Sequence, residues 1–195
     1  MEYTLDVNRR YTYADYLTWV DDKMRELLDG FIRLMSPAPA LKHAVVLRRL
    51  GTIMINFIDK NDGDCQVFYA PFDVRIPKNP DETKDNQIHT VVQPDICVVC
   101  DNSKLDERGC LGVPDMVVEI LSLSSQRYDL NEKFNIYEAG GVKEYWVVSP
   151  KEKGINVFIL QENGKYDAGT VYEGNVHVPV QTLAGLSISA EKLFS

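Results

Sequence analysis

No apolar run in the 195-residue chain reaches the roughly 18 residues that span a bilayer, which excludes a helical membrane anchor within it. The start, Met1-Glu-Tyr-Thr-Leu-Asp6, lacks the basic-then-apolar plan of a secretory signal, so a cytoplasmic protein is expected. Cysteine is scarce. Cys65, Cys97, Cys100 and Cys110 are too few for a disulfide framework. Cys97-x-x-Cys100 has neither a second pair nor histidines at zinc spacing, and buried thiols are expected at all four positions. Gly164-Lys165 lacks the upstream glycine of a phosphate-binding loop. Repeats and low-complexity tracts are absent. Basic residues are outnumbered, 21 to 29, for a net charge of −8, which excludes a uniformly basic nucleic-acid coat protein. A local basic patch survives: residues 31–60 carry 5 basic and 1 acidic side chain, whereas 61–120 carry 5 and 12.

What is present fits one globular domain over residues 1–195, with 45% hydrophobic and 26% charged residues, and excludes a disordered or fibrous chain. Thr12 caps a helix expected over 13–22, with Asp15 three residues on as a capping box. Asp29-Gly30 between apolar runs predicts paired strands over 24–28 and 31–35, the second ended by Ser36-Pro-Ala-Pro39. Apolar residues at 45, 46, 50, 53, 54, 57 and 58 follow helical spacing, so a helix is expected over 41–58. Lys42, Arg48 and Arg49 lie off its apolar stripe. Strands over 65–76 break at Ala70-Pro71. A loop over 78–89, a strand over 91–100 and a loop over 102–112 follow. Residues 115–121 are mostly apolar and read as a central strand covered on both faces. A helix over 122–141 stops at Gly140-Gly141. A buried strand over 144–148, antiparallel strands within 154–188 and a helical turn over 190–194 complete the chain. Strands bracketing a helix, with hairpins at both ends, give a mixed sheet in an α/β or α+β fold.

Two acids lie inside these apolar strands, Asp95 and Glu119. Ionised carboxylates are rarely buried without partners. Taken singly, each is accounted for by a basic partner or a strand end in water. Taken together in adjacent core strands, they repel unless a cation lies between them. A hard divalent ion with oxygen ligands, Mg²⁺ or Mn²⁺, meets that need. Side chains at 115, 117, 119 and 121 share one face, so a catalytic lysine two residues after Glu119 would enter the same site. Position 121 is leucine. On the next helix Asp129, Lys133 and Tyr137 share one side at i, i+4, i+8. If that helix packs over the sheet, Lys133 reaches the carboxylates. The alternative is an exposed Asp129–Lys133 pair worth about 0.2–0.5 kcal/mol. Asp73 is either a further site acid or a partner of Arg75. His43 either contacts substrate or makes a structural hydrogen bond. Lys42, Arg48 and Arg49 either position a phosphate backbone or form the polar face of a surface helix.

Ordered blocks of sequence carry a resemblance. They are Glu26-Leu-Leu-Asp-Gly30, Met35-Ser-Pro-Ala-Pro39 with His43, Ala70-Pro-Phe-Asp-Val-Arg75 and Val92-Gln-Pro-Asp95. Further on come Leu105-Asp-Glu-Arg-Gly109, Gly112-Val-Pro-Asp-Met-Val-Val-Glu-Ile-Leu-Ser122, Tyr128-Asp-Leu-Asn-Glu-Lys133 with Tyr137, and Gly141-Val-Lys-Glu-Tyr-Trp-Val-Val-Ser-Pro150. Together they resemble the Uma2 (Uma-two) family, whose members are labelled restriction endonucleases of the PD-(D/E)xK nuclease superfamily. The likeness covers about residues 11–150, and 151–195 would add strands that complete the domain. The resemblance implies a restriction-endonuclease-like fold with a central mixed sheet flanked by helices. It implies that Asp95 and Glu119 are metal ligands, that Lys133 replaces the lysine absent at 121, and that Glu26, a further catalytic residue at the family's early acidic position, completes the metal shell. The function expected is a Mg²⁺- or Mn²⁺-dependent endonuclease acting on nucleic acid, DNA before RNA, with a homodimer as one way to cut both strands. Two alternatives stay open: a catalytically silent nucleic-acid or protein binding module on the same fold, and a metal-dependent hydrolase of small phosphoesters.

Overall fold

A computed structural model describes residues 5–35, 40–122 and 127–195, with the backbone alone over 127–130. The expected termination of the second strand at 36–39 lies outside the described residues. Thr12 caps α1 (Tyr13–Tyr16) through the capping box with Asp15. The helix ends well short of residue 22. The Thr18 hydroxyl donates to the Asp15 carbonyl, and Trp19 folds back against Tyr11 and Tyr16 at ring-centroid distances of 5.2 and 5.4 Å. Aromatic packing replaces further helical turns. Strands β1 (Arg25–Leu28) and β2 (Phe31–Leu34) form the predicted hairpin. Asp29 and Gly30 at its tip have φ of 50° and 86°, the left-handed pair that a two-residue turn between twisted strands requires. Helix α2 (Leu41–Lys60) buries Val46, Leu50, Met54 and Ile58, the stripe set by its spacing.

Then follow β3 (Gln66–Tyr69), β4 (Val74–Ile76), β5 (Thr90–Val92), β6 (Ile96–Val99), β7 (Leu105–Asp106), β8 (Gly109–Leu111), β9 (Met116–Ile120), α3 (Arg127–Gly140) and β10 (Glu144–Ser149). The chain ends through β11 (Gly154–Ile159), β12 (Thr170–Glu173), β13 (His177–Pro179), β14 (Ser187–Ser189) and α4 (Ala190–Phe194). The mixed sheet expected from sequence is realised as two six-stranded sheets, ordered β2-β1-β5-β4-β8-β7 and β12-β11-β10-β9-β6-β3, beside the small β13-β14 pair. Each large sheet contains one parallel pair, β4 with β8 and β9 with β10. Helix α3 is the crossover between β9 and β10. Among the described residues no helix is long and apolar enough to cross a membrane.

Three local expectations need correction. The single strand over 91–100 is two strands in different sheets. Pro94 has no N–H to give a ladder, and the chain changes sheets across Gln93-Pro94-Asp95. Asp95 therefore sits at the step between sheets, immediately before β6. The loop over 102–112 holds a 3₁₀ turn (Asn102–Lys104) and the β7–β8 hairpin. Gly109 takes φ 125° there, where a Cβ would lie 2.2 Å from the Asp73 carbonyl oxygen. Cys65 and Cys100 are joined by a disulfide, because pairing of Gln66 with Val99 sets the flanking residues opposite each other. Cys97 and Cys110 are buried thiols as expected. The helix expected over 122–141 is described from Arg127, and 123–126 lie outside the described residues.

The central strand β9 divides the core. Met116, Val118 and Ile120 pack with the α2 stripe, while Val117 lies in the second cluster with Tyr137, Tyr145, Val74 and Val92. Strand alternation sends Glu119 to the same side as Val117. A one-residue slip would drive the carboxylate into the α2 cluster, so the register of β9 is tightly specified.

Candidate active site

Strand β9, Met-Val-Val-Glu-Ile, is rich in β-branched residues and lies between β6 and β10, with all five residues buried. Glu119 interrupts this apolar run, and its Oε1 accepts two hydrogen bonds. Lys133 Nζ donates at 2.9 Å and the Tyr137 hydroxyl at 2.7 Å, both from α3, where i, i+4 spacing places them on one side. Lys133 Nζ also lies 2.9 Å from Glu26 Oε1 on β1. The backbone N–H of Gln93 donates to that same oxygen at 2.8 Å. A single ammonium thus joins a carboxylate from each large sheet. Asp95 completes the group: the Ile120 N–H donates to its Oδ2 at 2.6 Å, and His43 Nε2, from the first turn of α2, lies 3.1 Å from its Oδ1.

The electrostatics follow from this crowding. Burial pushes the Glu119 carboxyl up to about 7, helped by the charges of Asp95 and Glu26 and opposed by Lys133 and Tyr137. Burial alone would lower Lys133, but Glu119 and Glu26 outweigh it and hold the amine as an ammonium. Burial, then Glu119 and Glu26, raise Tyr137 well above the usual phenol range, so it remains a donor. Burial also works against a charged His43, yet the bond to Asp95 and its charge win, and His43 is raised.

The structure brings Glu26, Asp95, Glu119 and Lys133 together, with His43 on Asp95. Lys133 does not stand as an exposed partner of Asp129, whose side chain lies outside the described residues. The other candidates from α2 are elsewhere. Arg48 and Lys42 are exposed. The Arg49 guanidinium donates to the carbonyls of Lys192, Leu193 and Ser195, so it holds the end of α4 instead of facing a ligand. Asp73 pairs with neither a site cation nor Arg75, which bonds Asp106 at 2.6 Å. Asp73 instead accepts from the Tyr13 hydroxyl at 2.9 Å and from Gln93 Nε2 at 2.8 Å. Gln93, which sequence reasoning missed, therefore links Glu26 through its backbone to Asp73 and α1 through its side chain. The only signal for it was its place in Gln-Pro-Asp. Tyr145, read as core, does pack there, and its hydroxyl is buried without a partner among the described residues.

Among the described residues no group of three or more His, Cys, Asp or Glu side chains is arranged to hold a metal. Asp95 and Glu119 each bring carboxylate oxygens to this cluster. A hard divalent ion that keeps several of its waters needs only one or two such carboxylates, so these two would be enough to hold one.

Two mixed sheets, a β9–α3–β10 crossover and acids gathered where the sheets meet define an α+β protein of restriction-endonuclease-like fold. A crystal structure from Anabaena variabilis ATCC 29413, described as "a putative nuclease belonging to DUF820", has the same fold. It matches with a TM-score of 0.72 at 21% identity over 94% of this chain and 97% of that one. The Uma2 family model, "Putative restriction endonuclease", matches residues 13–191, and the chain belongs to that family. An uncharacterised protein of Synechocystis sp. (strain ATCC 27184 / PCC 6803 / Kazusa) is 28% identical over 156 residues, or 78% of this chain and 75% of that protein.

Proposed function

We propose that this chain is a divalent-metal-dependent endonuclease that hydrolyses phosphodiester bonds of DNA. The observation that carries this reading is the meeting of Glu26, Asp95, Glu119 and Lys133, from two sheets and one helix, in one largely buried place. Asp95 and Glu119 would hold Mg²⁺ or Mn²⁺; burial raises Glu119, and the repulsion from Asp95 and Glu26 that adds to it is what a cation would relieve. Such an ion, when bound, polarises a scissile phosphate and lowers the pKa of a bound water. Lys133 stays protonated and offers positive charge to the phosphate oxygens as negative charge builds on them. Glu26 holds that ammonium from the far side, and Tyr137 keeps the Glu119 carboxylate in one orientation. The exposed Lys42 and Arg48 on α2 supply sequence-independent contacts to the phosphate backbone. With a net charge of −8 on the chain, these few cations and the metal must supply the attraction for nucleic acid. A homodimer would bring one such site to each strand.

The test is nicking of supercoiled plasmid with Mg²⁺ or Mn²⁺ by the wild type, Asp95→Asn and Glu119→Gln. Both substitutions are expected to abolish nicking while the thermal melt stays cooperative. Equal nicking by all three proteins would overturn the reading. Hydrolysis of a nitrophenyl phosphodiester with no nicking of plasmid would point instead to a small-phosphoester hydrolase.

A further inference from the structure

We propose that His43 is a positioning residue that fixes the Asp95 carboxylate for a divalent cation; the inference rests on the metal-dependent reading above. In the first turn of α2, Leu41, Lys42 and Ala44 are exposed, and His43 alone turns inward, at 7% exposure. Its Nε2 meets Asp95 Oδ1 at 3.1 Å, while the Ile120 N–H of β9 donates to Oδ2 at 2.6 Å. A carboxylate has two lone pairs on each oxygen, about four acceptor directions. One direction on each oxygen is taken, by donors from two different elements. The plane of the carboxylate is pinned from both sides, and among the described residues one direction on each oxygen carries no donor.

The other two carboxylates are held by different groups. Lys133 and Tyr137 hold Glu119, and Lys133 and the Gln93 N–H hold Glu26. His43 is the side chain that does this for Asp95. The Ile120 backbone also meets the ring, so β9 and Asp95 together orient it. Packing alone would be served better by an apolar side chain, which needs no polar partner. Groups that hydrogen-bond a metal-binding carboxylate fix its orientation, and losing one typically weakens metal binding about 10–100-fold.

The experiment is calorimetric titration of the full chain with Mn²⁺ at one fixed pH, with thermal melts in parallel. His43→Ala is expected to weaken Mn²⁺ binding about 10–100-fold with a cooperative melt. His43→Gln keeps an N–H donor of similar reach and should recover part of that loss. Asp95→Ala should bind no Mn²⁺ at this site. If His43→Ala fails to fold, His43→Leu fills the space without a donor and takes its place. Binding by the donor-free variant as tight as wild type, or tighter, overturns the inference, and so does His43→Gln binding no better than that variant. A wild type that takes up no Mn²⁺ overturns the metal-dependent reading as well, so the two failures are distinguishable.

Discussion

Glu119→Gln should stabilise the metal-free protein at alkaline pH while abolishing its cleavage. The carboxyl of an unfolded glutamate ionises near 4.5, whereas burial holds Glu119 near 7 in the folded chain. Between those values the folded protein keeps a proton that the unfolded chain has released. The unfolded state binds fewer protons there, so stability falls as pH rises through that window and stays lost above it. At about 1.4 kcal/mol per pH unit, the loss approaches ~3 kcal/mol by pH 8. The Glu119 side chain is only 11% exposed, so solvent screening does little to reduce it. Glutamine imitates the protonated acid and keeps an oxygen for Lys133 and Tyr137, but it cannot ionise. The variant should therefore match wild type near pH 4.5 and exceed it by about 3 kcal/mol at pH 8 with chelator present. Urea unfolding followed by tryptophan fluorescence measures this, since Trp146 is fully buried. Mg²⁺ should close the gap from the wild-type side only, by about 2.7 kcal/mol at a hundredfold excess over Kd. Wild type as stable as the variant at pH 8 without metal would refute the claim that burial holds the Glu119 carboxyl near 7 in the folded chain.

Two further outcomes follow from groups outside the site. Burial pushes Asp115 up, but the Lys143 ammonium at 2.7 Å and the Cys100 N–H at 2.8 Å hold its carboxyl below the usual range. That contribution is present above the unfolded value of 3.8 and is lost as pH falls through the lower folded value. Asp115→Asn should cost about 1–3 kcal/mol at pH 7 and flatten the acid limb of the stability profile, read by urea unfolding at several pH values. An unchanged acid limb would count against it. Arg49→Ala strips the carbonyls at the end of α4 of their donor, and it should cost about 0.5–1.5 kcal/mol and speed carboxypeptidase removal of residues 190–195. Plasmid nicking per folded molecule should not change; weaker DNA binding with no change in digestion would make Arg49 a phosphate contact after all.

Features set by neighbours in the chain were legible in the sequence: the left-handed Asp29-Gly30 turn, the α2 stripe, the alternation that places Glu119 with Val117, and Lys133 one turn before Tyr137. Features set by sheet topology were not. Nothing local says that Gln93-Pro94-Asp95 carries the chain from one sheet to the other, although Pro94 signals an interrupted ladder. Glu26 is the sharper case. In Arg-Glu-Leu-Leu, alternation would expose either Arg25 or Glu26, yet all four residues are buried because β1 lies between β2 and β5. Each charge is met separately: Arg25 by Asp21 at 2.5 Å, and Glu26 by Lys133 at 2.9 Å. The first partnership is local, at i, i+4. The second spans the gap between two sheets and exists only once α3 has crossed from β9 to β10. A buried carboxylate left without its cation is destabilising by several kcal/mol, so once both are ionised Glu26 and Glu119 share the seam because Lys133 lies between them. The chemistry of the site and the joining of the two sheets thus depend on the same ammonium.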